Sequence, residues 1–144
     1  MLTMFASALA ATHVVAADGS RDFTSIQSAI DAAADGDRIE VRNGIYAEGS
    51  VDTSGGVAIG ALLHIGRSIT LEGESVDGVH VIAGPGLSGA SIPRTAAIQF
   101  STGAVDVEVS GLTVVHTVDG VESGPTGTYA YTGFGTGGGY DSIT

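Results

Sequence analysis

Short apolar strand patterns recur along this chain, and their recurrence constrains the fold more than any other feature. Three pairs of apolar positions are related by offsets of 35, 38 and 33 residues: Leu63/Ile65 with Ile98/Phe100, Ile69/Leu71 with Val107/Val109, and Val79/Val81 with Leu112/Val114. A fixed set of strands with loops of variable length predicts stacked repeats, in which each strand pairs with its equivalent one repeat along. We therefore predict an all-β fold built as a parallel solenoid.

An antiparallel β-sandwich is the alternative architecture. Its hairpins need turn signals every 8–12 residues or so, and the Asp77-Gly78 turn is compatible with them. The repeat and the helix predicted before the strands favour the solenoid instead.

One amphipathic helix is predicted before the strands, over residues 24–34. Thr24 and Gln27 have the T-x-x-Q spacing of a capping box. Apolar residues follow at helical spacing: Ile26, Ala29, Ile30 and Ala33. Gly36 is expected to end the helix in a left-handed conformation. Such a helix can cover the exposed apolar end of a stacked core.

The charge balance excludes several classes of partner. Sixteen carboxylates face five arginines and no lysine, which gives a net charge of −11. Phosphate backbones need cationic partners, so we predict no nucleic-acid binding. No apolar run reaches the roughly 18 residues of a membrane helix, so we predict no membrane insertion. An acidic, lysine-free surface is typical either of simple solubility or of a halophilic protein, since concentrated salt screens carboxylate repulsion.

Composition divides the chain into three parts. Residues 1–11 (MLTMFASALAA) form a signal-like segment or an apolar arm, and they favour an extracellular or cell-surface location. Residues 12–122 hold the predicted helix and the first repeats. Residues 123–144 are rich in Gly and Tyr and end like the start of another strand. This ending predicts a C-terminally truncated solenoid whose open end can self-associate.

Residues 13–33 (HVVAADGSRDFTSIQSAIDAA) resemble the opening V-x-x-D-G-S-G-D-F-T-T-I-Q-x-A-I-D-A of pectin methylesterases and related pectin-lyase-like proteins. The resemblance continues through GIYAE at Gly44–Glu48 and ITLEGE at 69–74, and it covers roughly residues 13–115. It implies a right-handed parallel β-helix with an N-terminal capping helix, in which Tyr46 and Glu48 are framework residues. The family's catalytic carboxylates, amide and arginine lie several coils downstream, and no position here matches them.

Paired carboxylates are the first candidates for chemistry. Glu72 and Glu74 are two residues apart, as are Asp106 and Glu108, so each pair shares one face of a strand. The aligned repeats predict that Glu72 lies beside Ser110. Close carboxylates can bind calcium or act as an acid and a base. The alternative is that they are ordinary solvent-facing positions, and we predict no cofactor.

The histidines have no metal-ligand spacing. His13, His64, His80 and His116 lie on separate predicted strands, which indicates solvated strand histidines. The alternative is that His64 and His80 meet on a stacked face.

Aromatic residues of the glycine-rich tail are the candidates for binding. Tyr129, Tyr131, Phe134 and Tyr140 can stack on sugar rings, or they can belong to an ordinary loop insertion. We expect a non-catalytic N-terminal segment of an extracellular or surface β-helix repeat protein with a polysaccharide partner. The alternatives are the N-terminal part of a polysaccharide-active enzyme, resembling a pectin methylesterase or pectate lyase, and a structural, adhesin-like surface solenoid.

Overall fold

A computed structural model describes residues 9–53, 59–84, 94–101, 103–118, 121–123 and 129–132. Within these ranges the fold is all-β with one short helix, α1 (Ile26–Ala32). The strands are β1 (Thr12–Val15), β2 (Arg38–Val41), β3 (Gly44–Glu48), β4 (Ser50–Asp52), β5 (Ile59–Ile65), β6 (Thr70–Gly73), β7 (Val79–Ala83), β8 (Arg94–Phe100), β9 (Asp106–Ser110), β10 (Thr113–Val118), β11 (Val121–Ser123) and β12 (Tyr129–Thr132).

The described strands form three sheets, and most neighbours within them run parallel. The orders are β1-β2-β6-β9-β12, β11-β10-β7-β3 and β4-β5-β8. Six of the nine described pairings are parallel, and these six join strands that lie far apart in sequence. An antiparallel sandwich would pair its strands antiparallel throughout, so this topology disfavours that alternative.

The register confirms the predicted alignment of the repeats. The directly paired positions are Leu63 with Ile98, Ile65 with Phe100, Leu71 with Val109, and Val81 with Val114. These pairs reproduce the offsets of 35, 38 and 33 residues read from the sequence. The hydrophobic pattern sets this register, because a slip of one residue would turn every inward side chain outward.

Register partners on successive strands stack into rows that form the core. Ile39, Leu71 and Val109 are partners across β2, β6 and β9, and each is at most 1% exposed. Val81 and Val114 form an equally buried pair across β7 and β10. Because complete burial of one such side chain contributes about 1.5–3 kcal/mol, these rows are a principal source of stability.

The helix has a different cap from the one predicted. Ser25, not Thr24, is the N-cap residue, and its Oγ accepts a hydrogen bond from Ser28 N. The capping box of Thr24 and Gln27 is therefore wrong. A buried carboxylate from β3 binds the first turn and takes over the function that the box would have had. On α1 itself, the predicted apolar stripe is buried: Ile26, Ala29 and Ile30.

The predicted helix end is also corrected. The helix ends at Ala32, and the C-cap residue Ala33 is already extended. Gly36 does adopt a positive φ of 89°, but it lies beyond the cap, in the turn that leads to β2. The buried face of α1 contacts β1, β2, β3 and β5, so the helix touches strands of all three sheets.

Two predictions concern segments that lie wholly or partly outside the described residues. The signal-like segment 1–11 falls almost entirely there, as does most of the glycine-rich segment 123–144. In the described part of the chain, no helix has the length and apolar character needed to cross a bilayer.

Candidate functional site

The outer face of β2, β6 and β9 carries a row of charged side chains. Glu40, Glu72 and Ser110 are register partners, which confirms the predicted position of Glu72 beside Ser110. Arg38 lies between the two glutamates: its Nε is 3.4 Å from Glu40 Oε1, and its Nη2 contacts Glu72 Oε2. Between 40% and 44% of each of these charged side chains is exposed. Glu72 is therefore a solvent-facing carboxylate paired with an arginine.

The second predicted glutamate is paired in the same manner. Glu74 Oε1 lies 3.5 Å from Arg42 Nη1, and Glu74 Oε2 accepts a hydrogen bond of 2.9 Å from Asn43 N. Asp106 and Glu108 on β9 are exposed. Among the residues described, no group of three or more His, Asp or Glu side chains is arranged to hold a metal ion. The charged face thus has the geometry of a surface ion-pair network, in which each pair contributes about 0–1 kcal/mol.

His64 and His80 each have a hydrogen bond to a backbone oxygen, and they lie in different sheets. His64 Nε2 lies 3.0 Å from Ser50 O, and His80 Nε2 lies 2.8 Å from Asp77 O. His64 is on β5 and His80 on β7, which belong to different sheets, so strand pairing does not bring them together. For His116, the described backbone places it on β10.

The interpretation of His13 as a solvated histidine is wrong. Its side chain is 19% exposed, and its Nε2 lies 2.9 Å from Asp37 Oδ2. The ring also meets Phe23 edge to face at a centroid distance of 5.8 Å. The contacts with Phe23 and Asp37 therefore shield most of this ring from water.

Asp37 joins three segments of the chain and was missed by the sequence analysis. The residue is 6% exposed. Its Oδ1 accepts from Ala11 N at 2.8 Å, and its Oδ2 accepts from Ala34 N at 2.9 Å and contacts His13. The pKa of Asp37 is lowered to about 2, and the main cause is the hydrogen bond from Ala34 N. The hydrogen bonds with His13 and Ala11 are the next largest causes. Its partners are up to 26 residues away, so no local pattern marked this residue.

Asp37→Asn is expected to lower the melting temperature at pH 7 by on the order of 5 °C, because an amide offers only one acceptor oxygen to these donors. The folded-state pKa lies below the ordinary value of 3.8. The stability supplied by ionised Asp37 is therefore present above pH 3.8 and lost as the pH falls from 3.8 to about 2. Thermal melts near pH 7 and near pH 2 measure the difference in melting temperature between the natural chain and Asp37→Asn. This difference should be smaller near pH 2. The exposed Asp22→Asn is the control, and an equal loss at both pH values would contradict the prediction.

Glu48 and Tyr46 hold β3 against the helix and the preceding turn. Glu48 is 7% exposed, and it accepts hydrogen bonds from Ile26 N at 2.6 Å and Ser25 Oγ at 3.1 Å. Burial raises the pKa of Glu48, and the bonds from Ile26 and Ser25 oppose that rise. Tyr46 donates its hydroxyl to Arg42 O at 2.7 Å. Both side chains therefore have the framework role that the family resemblance implies.

A polar cleft lies where α1 meets β4, β5 and β8. It has a volume of about 290 Å³, and its lining includes Gln27, Asp31, Asp52, His64 and Gln99. The Gln27 side chain fixes the helix against β5, because its Oε1 accepts from His64 N at 2.8 Å and its Nε2 donates to His64 O at 2.9 Å. No pattern in the sequence marks this cleft, since its walls come from four elements that are distant in the chain.

The predicted glycan-contact residues are only partly described. The backbone of β12 pairs antiparallel with β9 and places Tyr129 opposite Val109 and Tyr131 opposite Val107. Phe134 and Tyr140 lie outside the described residues. The binding role of these four residues stays a prediction.

Comparisons with protein-family models, with curated proteins and with solved structures found no match. The resemblance to pectin methylesterases rests on the quoted sequence patterns alone.

Proposed function

We propose that this chain forms the helix-covered first turns of a right-handed parallel β-helix in an extracellular or surface protein that associates with polysaccharide. In this proposal the segment binds polysaccharide and supports the β-helix, and it does not catalyse a reaction. The observation that supports it best is the repeated parallel pairing, in which strands about three dozen residues apart are neighbours in each of the three sheets.

The position of α1 is the second support. A stack of parallel strands has an exposed apolar end, and unpaired strands at that end can bind other chains. In the structure, α1 buries Ile26 and Ile30 against strands from all three sheets. In this proposal, α1 covers the first turn of the β-helix.

The described carboxylates support a non-catalytic role. Glu72 and Glu74 face arginines on a partly exposed surface, and Glu48 and Asp37 are occupied by backbone and side-chain donors. A general acid or base must reach a substrate proton, and the burial of Glu48 and Asp37 leaves these two carboxylates little access to one. Association with polysaccharide is proposed from the family resemblance and from the tyrosines near the end of the chain.

Binding of the intact chain to polysaccharides tests the proposal. Isothermal titration with neutral and acidic polysaccharides is expected to show binding, and hydrolysis assays with the same polymers are expected to show no turnover. Changing Tyr129 and Tyr131 together to alanine should weaken binding by about tenfold, because each aromatic contact contributes about 0.5–1.5 kcal/mol.

The double change of the same two residues to phenylalanine is the matched control, since it keeps the rings and removes only the hydroxyls. It should bind within about twofold of the natural chain if stacking is the main contribution. An absence of heat with every polysaccharide would contradict the binding role, and measurable turnover would contradict the non-catalytic one.

A further inference from the structure

Two residues that line the cleft between α1, β5 and β8 each have a buried hydrogen-bond acceptor without a donor. These atoms are His64 Nδ1 and Gln99 Oε1. In the described part of the chain, only one other buried side-chain nitrogen or oxygen, Arg42 Nε, has no hydrogen-bond partner. Leaving such a group unsatisfied costs about 1–3 kcal/mol, so two of them in one cleft need an explanation.

The chemistry of both atoms follows from their neighbours. His64 Nε2 lies 3.0 Å from Ser50 O, and a carbonyl oxygen can only accept. The proton of a neutral ring is therefore assigned to Nε2, which leaves Nδ1 as an acceptor. Gln99 Oε1 is also an acceptor. His64 and Gln99 are direct register partners on β5 and β8, and neighbouring strands lie about 4.8 Å apart. The two acceptors thus belong to one row of the sheet.

The charges around the cleft disfavour an anionic ligand. The carboxylates of Asp31 and Asp52 line it and repel anions. The guanidinium of Arg67 also lines it, and it donates to Ala33 O. The two carboxylates outnumber this one positive charge, so the lining stays net negative. A ligand that satisfies both acceptors must donate hydrogen bonds and carry no negative charge, and a molecule with several hydroxyl groups meets both conditions.

We propose that this cleft binds one ring of a neutral sugar, with two neighbouring hydroxyls donating to His64 Nδ1 and Gln99 Oε1. The volume of about 290 Å³ is at the small end of the range of ligand sites and suits one ring. Both acceptors are shielded in the free protein, so the partly buried Gln99 side chain turns aside as the ligand enters. The sugar as ligand class rests on the proposed function, whereas the site and its preference against anions come from the cleft.

Nuclear magnetic resonance of the intact, ¹⁵N-labelled protein tests this site with glucose, cellobiose and galacturonic acid as probes. The two neutral sugars are expected to move the His64 Nδ1 resonance, because its lone pair gains a hydrogen bond. His80 is the internal control on another sheet and should not respond. Gln99→Leu removes one acceptor and should weaken the binding of cellobiose by about tenfold. His80→Phe is the matched control variant and should leave the binding of cellobiose unchanged.

The outcomes separate this site from the proposed function. Binding of polysaccharide by the natural chain without any response of His64 to glucose or cellobiose overturns the cleft and leaves the proposed function standing. A response to galacturonic acid alone also overturns the cleft. If Gln99→Leu does not fold, the response of the His64 Nδ1 resonance to added sugar in the natural chain still decides the question, because it needs no variant.

Discussion

Gly73→Ala is expected to lower the free energy of unfolding by about 3 kcal/mol, the upper end of ordinary overpacking, because a methyl group there would collide with the backbone of Gly111. A methyl group at Gly73 would lie 2.6 Å from the carbonyl carbon of Gly111, closer still to its oxygen, and 3.1 Å from Leu112 Cβ. The obstructing atoms are backbone, so relief requires β6 and β9 to separate. Urea denaturation followed by circular dichroism measures the loss.

Gly36→Ala is the matched control, because Gly36 has a positive φ of 89° and open space around it. Its cost is expected to be about 1–2 kcal/mol, from backbone strain alone. Gly111 combines both effects, since its φ is 69° and a methyl group there would collide with Gly73 O. Gly111→Ala should therefore be at least as damaging as Gly73→Ala. If Gly73→Ala lowers the free energy of unfolding no more than Gly36→Ala does, the close contact between Gly73 and Gly111 is contradicted.

The spacing of the repeats made the strands and their pairing predictable. Gly73 and Gly111 follow the aligned pairs Ile69/Leu71 and Val107/Val109 in the sequence, but no pattern marks the two glycines as partners in contact. Periodicity records which side chains face inward, and the register of Leu71 with Val109 follows from it. The distance between two backbones is a tertiary property, so no pattern within one strand reports it.

The candidate site was less predictable, because its contacts join distant segments. The cap of α1 was assigned to Thr24 and Gln27 by a local rule, yet Glu48, 22 residues after Ile26, supplies the carboxylate. Asp37 and His13 are 24 residues apart and were likewise not paired. Local sequence patterns predicted the helix and its buried apolar stripe. Which polar side chains are buried and hydrogen-bonded depends on tertiary contacts, which those patterns do not contain.

Glu48→Ala is expected to lower the free energy of unfolding at pH 7 by about 1–3 kcal/mol, because the buried Ile26 N–H loses its acceptor. Glu48→Gln is expected to cost much less, since the amide oxygen still accepts from Ile26 or Ser25 and no charge is buried. Burial raises the pKa of Glu48 above its ordinary value of 4.5, so the folded site favours the neutral side chain. Urea denaturation of the three proteins at pH 7 gives the comparison.

The pH dependence tests the same contact through its sign. The folded-state pKa of Glu48 lies above 4.5, so the stabilisation from its protonation is fully present below pH 4.5 and lost as the pH rises through the folded-state pKa. The natural chain should therefore gain stability relative to Glu48→Gln as the solution is acidified towards pH 4.5. Asp37 loses its contribution only below pH 3.8, so the two windows do not overlap. If Glu48→Gln were as unstable as Glu48→Ala at pH 7, the helix would need the charge itself, and the burial argument would fail.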